Sequence, residues 1–251
     1  MIMIAGKPLA PDALNTYPAG SFEQNLLQVM SDNNLGFDNM EQLKFELELR
    51  KSTVNAAKAL NHSELDFAIF RKSRCNKEYW TRTAEGGFLL KDNAKSSAAI
   101  KDIYINGSAY ATECATATVI VYLKAVLDVY PPALYDLTFN EIYLMNWHSV
   151  NPPLSGIGQL FDIKAFLPGD RTYFMNPDVN PETPEWQGEN TVVLSPDSYY
   201  GPGLGIHDEA AMVRMLNHHR VEDAQETAYL LKQAGRLDYN NLLKIRQGYH
   251  G

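Results

Sequence analysis

The spacing of apolar residues changes period several times along the chain, and each change marks an element. In "MEQLKFELELRKSTVNAAKALNHS", from Met40, the residues Leu43, Leu47, Val54, Ala57 and Leu60 recur at helical spacing, which predicts a long amphipathic helix. "LDFAIF" reads as a short strand, followed by a charged loop, "RKSRCNKEYW". A hairpin-like piece around "EGGFLL" comes next, then a small helix near Lys95 to Ile103 that the Asn106-Gly107 turn signal stops. "TECATATVIVYLKAVLDVYPP" is a second helix. Thr112 is its expected N-cap, and Pro131-Pro132 forbids continuation past about Val129.

Beyond that helix the period shortens. "FNEIYLMNWH" reads as a strand, and "LFDIKAFLPGDRTYFMNP" as a strand, a Pro-Gly-Asp turn and another strand. "GENTVVLSPDSYYGPGLGI" suggests two more, joined by a loop, while "HDEAAMVRMLNHHR" and "EDAQETAYLLKQ" read as terminal helices. Helices, one cysteine-bearing helix, strands, then helices: this order predicts an α+β fold with a mainly antiparallel sheet. Its 251 residues suit a single domain spanning 1–251, because no Pro/Gly/Ser-rich stretch is long enough to act as a linker.

Composition narrows the function. Hydrophobic residues make up 45% of the chain, enough for a substantial core, and the formal net charge of -8 argues against binding a phosphate backbone. No segment is long and apolar enough to span a membrane, and the apolar run in "MIMIAGKPLAPDALNTYP" is too short for a signal peptide. Synthesis in the cytoplasm and folding in a reducing compartment are therefore expected, as a monomer. The two cysteines lie far apart and make neither a disulfide framework nor a zinc site. The His218-His219 pair and Asp208-Glu209 read as a polar helix face, so neither a metal nor another cofactor is expected.

The cysteines each have two readings. Cys114 falls in the first turn of its helix, where unpaired N–H groups and the macrodipole favour a thiolate. It can equally be a small buried thiol, as free cysteine often is. Cys75 lies among Arg71, Lys72, Arg74 and Lys77, a field that should lower its pKa, yet its segment reads as an exposed loop with an incidental surface thiol. A Cys-His pair would draw on His62, His148, His207, His218, His219 or His250, and sequence does not choose among them.

The text "TECATATVIVYL" resembles the spore-coat protein-glutamine γ-glutamyltransferases of spore-forming bacteria. The similarity continues in order through "FELELR", "NAAKALNHS", "DFAIF", "YW", "NWH", "PGDRTYFMNP", "WQGENTVVL", "GLGI" and "AYLLKQAGRLD". The resemblance implies a compact papain-like core related to bacterial cell-wall cysteine peptidases. It also implies a calcium-independent enzyme that joins glutamine to lysine side chains in protein substrates, spore-coat proteins among them, and a spore-coat location. Carried over, the family's nucleophile falls on Cys114, its principal acid-base carboxylate on Glu189 and a second, partly substitutable carboxylate on Glu113. The aromatics of the substrate tunnel fall on Phe67, Trp147 and Trp186. In one place the chain departs from the family: Pro202 stands where the pattern has a histidine, just before "GLGI", and His207, shortly after "GLGI", is the candidate to take over its task. A cysteine amidase or peptidase of the same fold, or a coat protein with a decayed site, are the rival readings.

The expected chemistry sets a demand on the site. A reference thiol has a pKa about 4 units above that of a glutamate, a gap of roughly 5 to 6 kcal/mol. Burial among tryptophans should raise the glutamate, and the helix N-terminus should lower the cysteine. Backbone N–H groups at the helix start are the expected donors to the tetrahedral oxyanion.

Overall fold

The computed structural model describes residues 1–10, 16–147 and 149–251. Its first elements are β1 (Met3–Ile4) and β2 (Lys7–Pro8), α1 (Phe22–Asp32), β3 (Gly36–Phe37) and α2 (Met40–Asn61). The predicted Met40 helix is present, and Leu43, Leu47, Val54, Ala57 and Leu60 are all on its buried side. α1 was not anticipated from the apolar spacing. Its signal was local instead: the Ser21 hydroxyl accepts from the Gln24 N–H, and Gln24 reaches back to Gly20 N–H, a capping pattern.

β4 (Asp66–Phe67) is the only strand in "LDFAIF", which then closes into a 3₁₀ turn at Phe70–Lys72. The expected hairpin is β5 (Trp80–Arg82) and β6 (Phe88–Leu90), and α3 (Ser96–Ile105) stops at Asn106. β7 (Ala111–Thr112) pairs parallel with β4 and leads directly into α4 (Cys114–Val129). α5 (Pro132–Thr138) starts a new direction at Pro131. β8 (Tyr143–Leu144) is shorter than "FNEIYLMNWH" implied, and the His148 end of that segment lies outside the described residues.

The main sheet is built from β10 (Arg171–Met175), β11 (Gly188–Ser195), β12 (Ser198–Gly201), β13 (Gly205–His207) and β14 (Tyr229–Leu230), after a short β9 (Phe161–Asp162). Its order is β13-β12-β11-β10-β14, and every pairing is antiparallel, as the shortened period predicted. "GENTVVLSPDSYYGPGLGI" yields three strands rather than two, because Gly203 at φ +89° turns the chain back after β12. α6 (Glu209–Asn217) is the first expected terminal helix.

The second is not there. "EDAQETAYLLKQ" instead supplies β14 and β15 (Gln233–Ala234), with Tyr229 opposite Met175 and Leu230 opposite Phe174. The free edge of β10 offers its backbone groups to this segment, and that pairing overrides a modest helical propensity. The last helix is α7 (Tyr239–Gln247), capped by Asp238, whose carboxylate accepts from Asn241 N–H.

α4 is buried nearly all round, packed on α2 along one side and against β11 on another. Val192 and Leu194 of β11 join the core of α2 and α4, whereas Val193 joins Phe174, Tyr199, Met212 and Leu216 under α6. Both faces of β11 are thus covered, which is why "TVVL" is a continuous apolar run after Thr191. The turn before β10 is held by Asp170, which is fully buried. Arg50 and Arg236 both donate to its carboxylate, from 2.7 to 2.9 Å. Among the described residues no helix is long and apolar enough to cross a membrane.

Candidate active site

Cys114 is the first residue of α4, but the cap is one residue later than the sequence suggested. Thr112 is committed to β7, opposite Phe67. Glu113 caps instead: its carboxylate accepts from Ala115 N–H at 2.6 Å and Thr116 N–H at 2.8 Å, where the helix dipole favours negative charge. Two N–H groups expected to face the reaction are therefore already bonded. The Thr116 hydroxyl accepts from Asn146 N–H at 2.9 Å and ties the loop carrying Trp147 to the same turn.

The thiol opens on a cavity of about 860 Å³ walled by Phe67, Phe70, Trp147, Leu160 and Tyr173, with Arg71, Lys72, Glu182 and Glu185 also on its lining. Phe67 stacks on Trp186 with ring centroids 5.9 Å apart, and Trp186 stacks in turn on His219 at 4.1 Å. Trp186 thus backs the Phe67 wall rather than lining the cavity itself. A Cβ at Gly203 would come within 3.0 Å of the Phe67 side chain, so this glycine lets the turn that follows Pro202 close on that ring.

Glu189 sits on β11, opposite Phe174, and is 2% exposed. Its side chain fits because residue 201 is glycine: a Cβ there would lie 3.1 Å from its Cγ and 3.2 Å from Oε1. Oε1 has no hydrogen-bond partner among the described residues. Burial, and next the charge of Glu113, push this carboxyl well above the usual carboxylate range, while the Cys114 thiol acts the other way. Glu113 is also raised by burial, against the hydrogen bonds from Thr116 and Ala115.

Burial, then Glu189 and Glu113, push the Cys114 thiol up as well, with Asn190 working against them. The expectation that the helix start would lower this thiol is thus overturned. The nearest N–H groups are spent on Glu113, and two carboxyls oppose a second negative charge.

Of the histidines, His207 lies on β13 and bonds the Leu204 carbonyl at 3.0 Å, away from the cavity lining. His62 bonds the Lys58 carbonyl, His219 stacks on Trp186, and His148 lies outside the described residues. Asp208, read as part of a polar face, caps α6 by accepting from Ala211 N–H. Among the described residues no three His, Cys, Asp or Glu side chains are grouped as metal ligands.

Comparison with known proteins settles the class. Residues 1–246 match the family described as protein-glutamine gamma-glutamyltransferase. The enzyme of that name from Halalkalibacterium halodurans is 39% identical over 258 aligned residues, covering 100% of this chain and 89% of the relative. That from Bacillus subtilis is 38% identical and covers 98% of this chain and 99% of its own. This chain belongs to that family. The solved transglutaminase from Geobacillus stearothermophilus, without its C-terminal extension, superposes with a TM-score of 0.77 at 40% identity, over 83% of this chain and 98% of that one. The mixed α+β fold of the enzyme is that of a known transglutaminase, and its activity is protein-glutamine γ-glutamyl transfer.

Cys75 is not the surface thiol its neighbours suggested. In this transglutaminase it is half-buried against the main core, and burial raises its pKa more than Arg82, Lys77 and Lys91 lower it. It lines a different cavity, with Arg74 and Trp80. Cys75→Ser should therefore leave amine incorporation unchanged; a clear loss of turnover in a folded variant would place this thiol in the chemistry. The sequence reading missed Arg171, Tyr173 and Asn190. All three sit on β10 and β11, within "PGDRTYFMNP" and "WQGEN", but only strand register reveals that they meet Cys114.

Proposed function

We propose that Cys114 is the nucleophile of this transglutaminase, Glu189 its acid-base partner and Glu113 a weaker substitute, on a papain-like core in a single domain. The observation that carries this reading is the arrangement itself: a thiol at the start of α4, a buried carboxyl with an unpartnered oxygen on the strand packed against that helix, and an aromatic cavity beside the thiol. A glutamine side chain enters along Phe67 and Trp147. Cys114 Sγ bonds to the carboxamide carbon, the thiol proton passes to Glu189, and Glu189 delivers it to the nitrogen that leaves as ammonia. A lysine amine then attacks the thioester, its proton returns through the same carboxyl to sulfur, and the isopeptide is released.

Burial that holds the Glu189 carboxyl above the usual range makes it a stronger base toward the thiol than an exposed carboxylate would be. Glu113 ranks second because both its oxygens bond the helix, and acid-base work there would uncap α4. The aromatic walls favour an amine on an apolar stem over water, which selects transfer over hydrolysis. Proteins bearing accessible glutamine and lysine are the substrates in this reading, with spore-coat proteins the class implied by the family resemblance.

The test is incorporation of a fluorescent amine into a glutamine-rich protein with EDTA present, paired with an acid quench of enzyme and glutamine peptide without amine. Full incorporation and an acyl group on the Cys114 peptide by mass spectrometry are expected. An acyl group on another residue, or activity lost in EDTA and restored by calcium, would overturn the scheme.

A further inference from the structure

The capping role of Glu113 leaves the tetrahedral intermediate short of donors. An oxyanion needs hydrogen-bond donors at about 2.7–3.1 Å in a site that excludes water. With Ala115 and Thr116 N–H turned to Glu113, the first turn of α4 offers the Cys114 N–H, which has no acceptor among the described residues. The next donor is a side chain. Asn190 Nδ2 lies 3.3 Å from Cys114 Sγ.

The direction of that amide follows from its other partner. Arg171 donates to Asn190 Oδ1 from Nε at 3.2 Å and from Nη2 at 2.8 Å. A guanidinium has only donors, so the atom facing it must be oxygen, and the NH₂ is forced toward the sulfur. Arg171 is itself fixed: Nη1 donates to the Ile157 carbonyl at 3.0 Å, and the guanidinium lies 3.8 Å from the centroid of the Trp147 ring. Both side chains are buried, Arg171 to 5% exposure and Asn190 to 6%.

Charge gives the second argument. Among the described residues Arg171 makes no ion pair, unlike Arg50 and Arg236. Burying a cation without a carboxylate is costly, and an apolar pair would fill the same space at lower cost. The cost is understandable if a negative charge appears nearby during turnover. Two bonds from the cation also polarise the amide, which strengthens its N–H groups as donors.

We propose that Asn190 is a further catalytic residue: its amide, with the Cys114 N–H, receives the oxyanion, and Arg171 is the positioning residue that aims it. This rests on Cys114 being the nucleophile. As the Sγ–C bond forms, the carbonyl π pair moves onto oxygen, toward Nδ2. As the C–N bond breaks the pair returns, and ammonia departs with the proton that Glu189 carries. The same donor favours sulfur as thiolate over thiol, so it also assists the attack.

Asn190→Asp keeps the shape and the partner for Arg171 but puts an acceptor where the donor was. It should lower kcat on the order of a hundredfold to a thousandfold with little change in KM and an unchanged melting temperature. Arg171→Met should lower kcat through the same amide, so combining it with Asn190→Asp should add little. Asn190→Ala is the second variant, free of any added charge. In it the pH midpoint for alkylation of Cys114 by iodoacetamide should move upward, a change that a purely structural role would not produce. A kcat within about threefold of wild type in either Asn190 variant would overturn the proposal, since one oxyanion donor is worth far more. So would losses that track only the unfolded fraction, or an unmoved alkylation midpoint. If Cys114→Ala retained activity, the nucleophile assignment itself would fail; if it is inactive while Asn190→Asp is unimpaired, only the role of Asn190 fails.

Discussion

Cys114→Ala should give a protein that folds like the parent and incorporates no amine. Alanine is the best helix former, and the Glu113 cap rests on backbone N–H groups that the substitution leaves in place. Among the described residues the sulfur accepts one side-chain hydrogen bond, from Asn190, so little structure depends on it. In the proposed mechanism the chemistry depends on it entirely. Among the described residues the other thiol, Cys75, lines a different cavity, and loss of a nucleophile costs on the order of 10⁶ in turnover. The measurement is amine incorporation beside a thermal melt. Signal above an enzyme-free blank from a folded, EDTA-treated Cys114→Ala sample would remove Cys114 from the mechanism.

The second large effect belongs to Glu189. Glu189→Gln should lower kcat on the order of a hundredfold or more, because a carboxamide neither takes the thiol proton nor delivers it to ammonia. The same carboxyl makes stability depend on pH. A carboxyl whose folded pKa is raised binds more protons in the folded state than in the unfolded one. Its contribution is therefore complete below the unfolded pKa, near 4.5, and is lost as pH rises toward the folded value. The parent melting temperature should fall as pH rises above about 4.5, and that of Glu189→Gln should fall less over the same rise. Glu113→Ala should cost less in kcat but uncap α4, and the double carboxylate variant should be less active than either single one. Near-parental turnover in Glu189→Gln, with death of a histidine variant, would favour a Cys-His pair. A variant whose melting temperature falls as steeply as the parent's over that rise would remove the stability argument.

The parts of the structure that were legible in the chain are those set by local pattern. α2 and α4 follow from apolar spacing and from Pro131-Pro132, and the antiparallel sheet from short apolar runs separated by turn residues. The identities of Cys114, Glu189 and the aromatics came from resemblance, since a lone glutamate beside glycine reads as a turn residue on local grounds. What was hidden depends on distant partners. "AYLLKQ" became strand because β10 had an open edge, and Thr112 lost the cap because it was already paired with Phe67. Cys75 looked electropositive along the chain, but packing against the core outweighs its charged neighbours. Asn190 and Arg171 gave no signal, because their chemistry exists only once β10 and β11 are in register.

The carboxylate of Asp170 gathers Arg50 from 120 positions earlier and Arg236 from 66 positions later, and it fixes the turn that launches β10. On the ribosome these partners emerge in sequence, Arg50 first and Arg236 long after Cys114. The turn that delivers Arg171 and Tyr173 to the thiol has its full set of partners only when chain beyond position 236 has left the exit tunnel. A chain that ends before position 236 carries Cys114 while the turn before β10 still lacks one of the two cations that hold it.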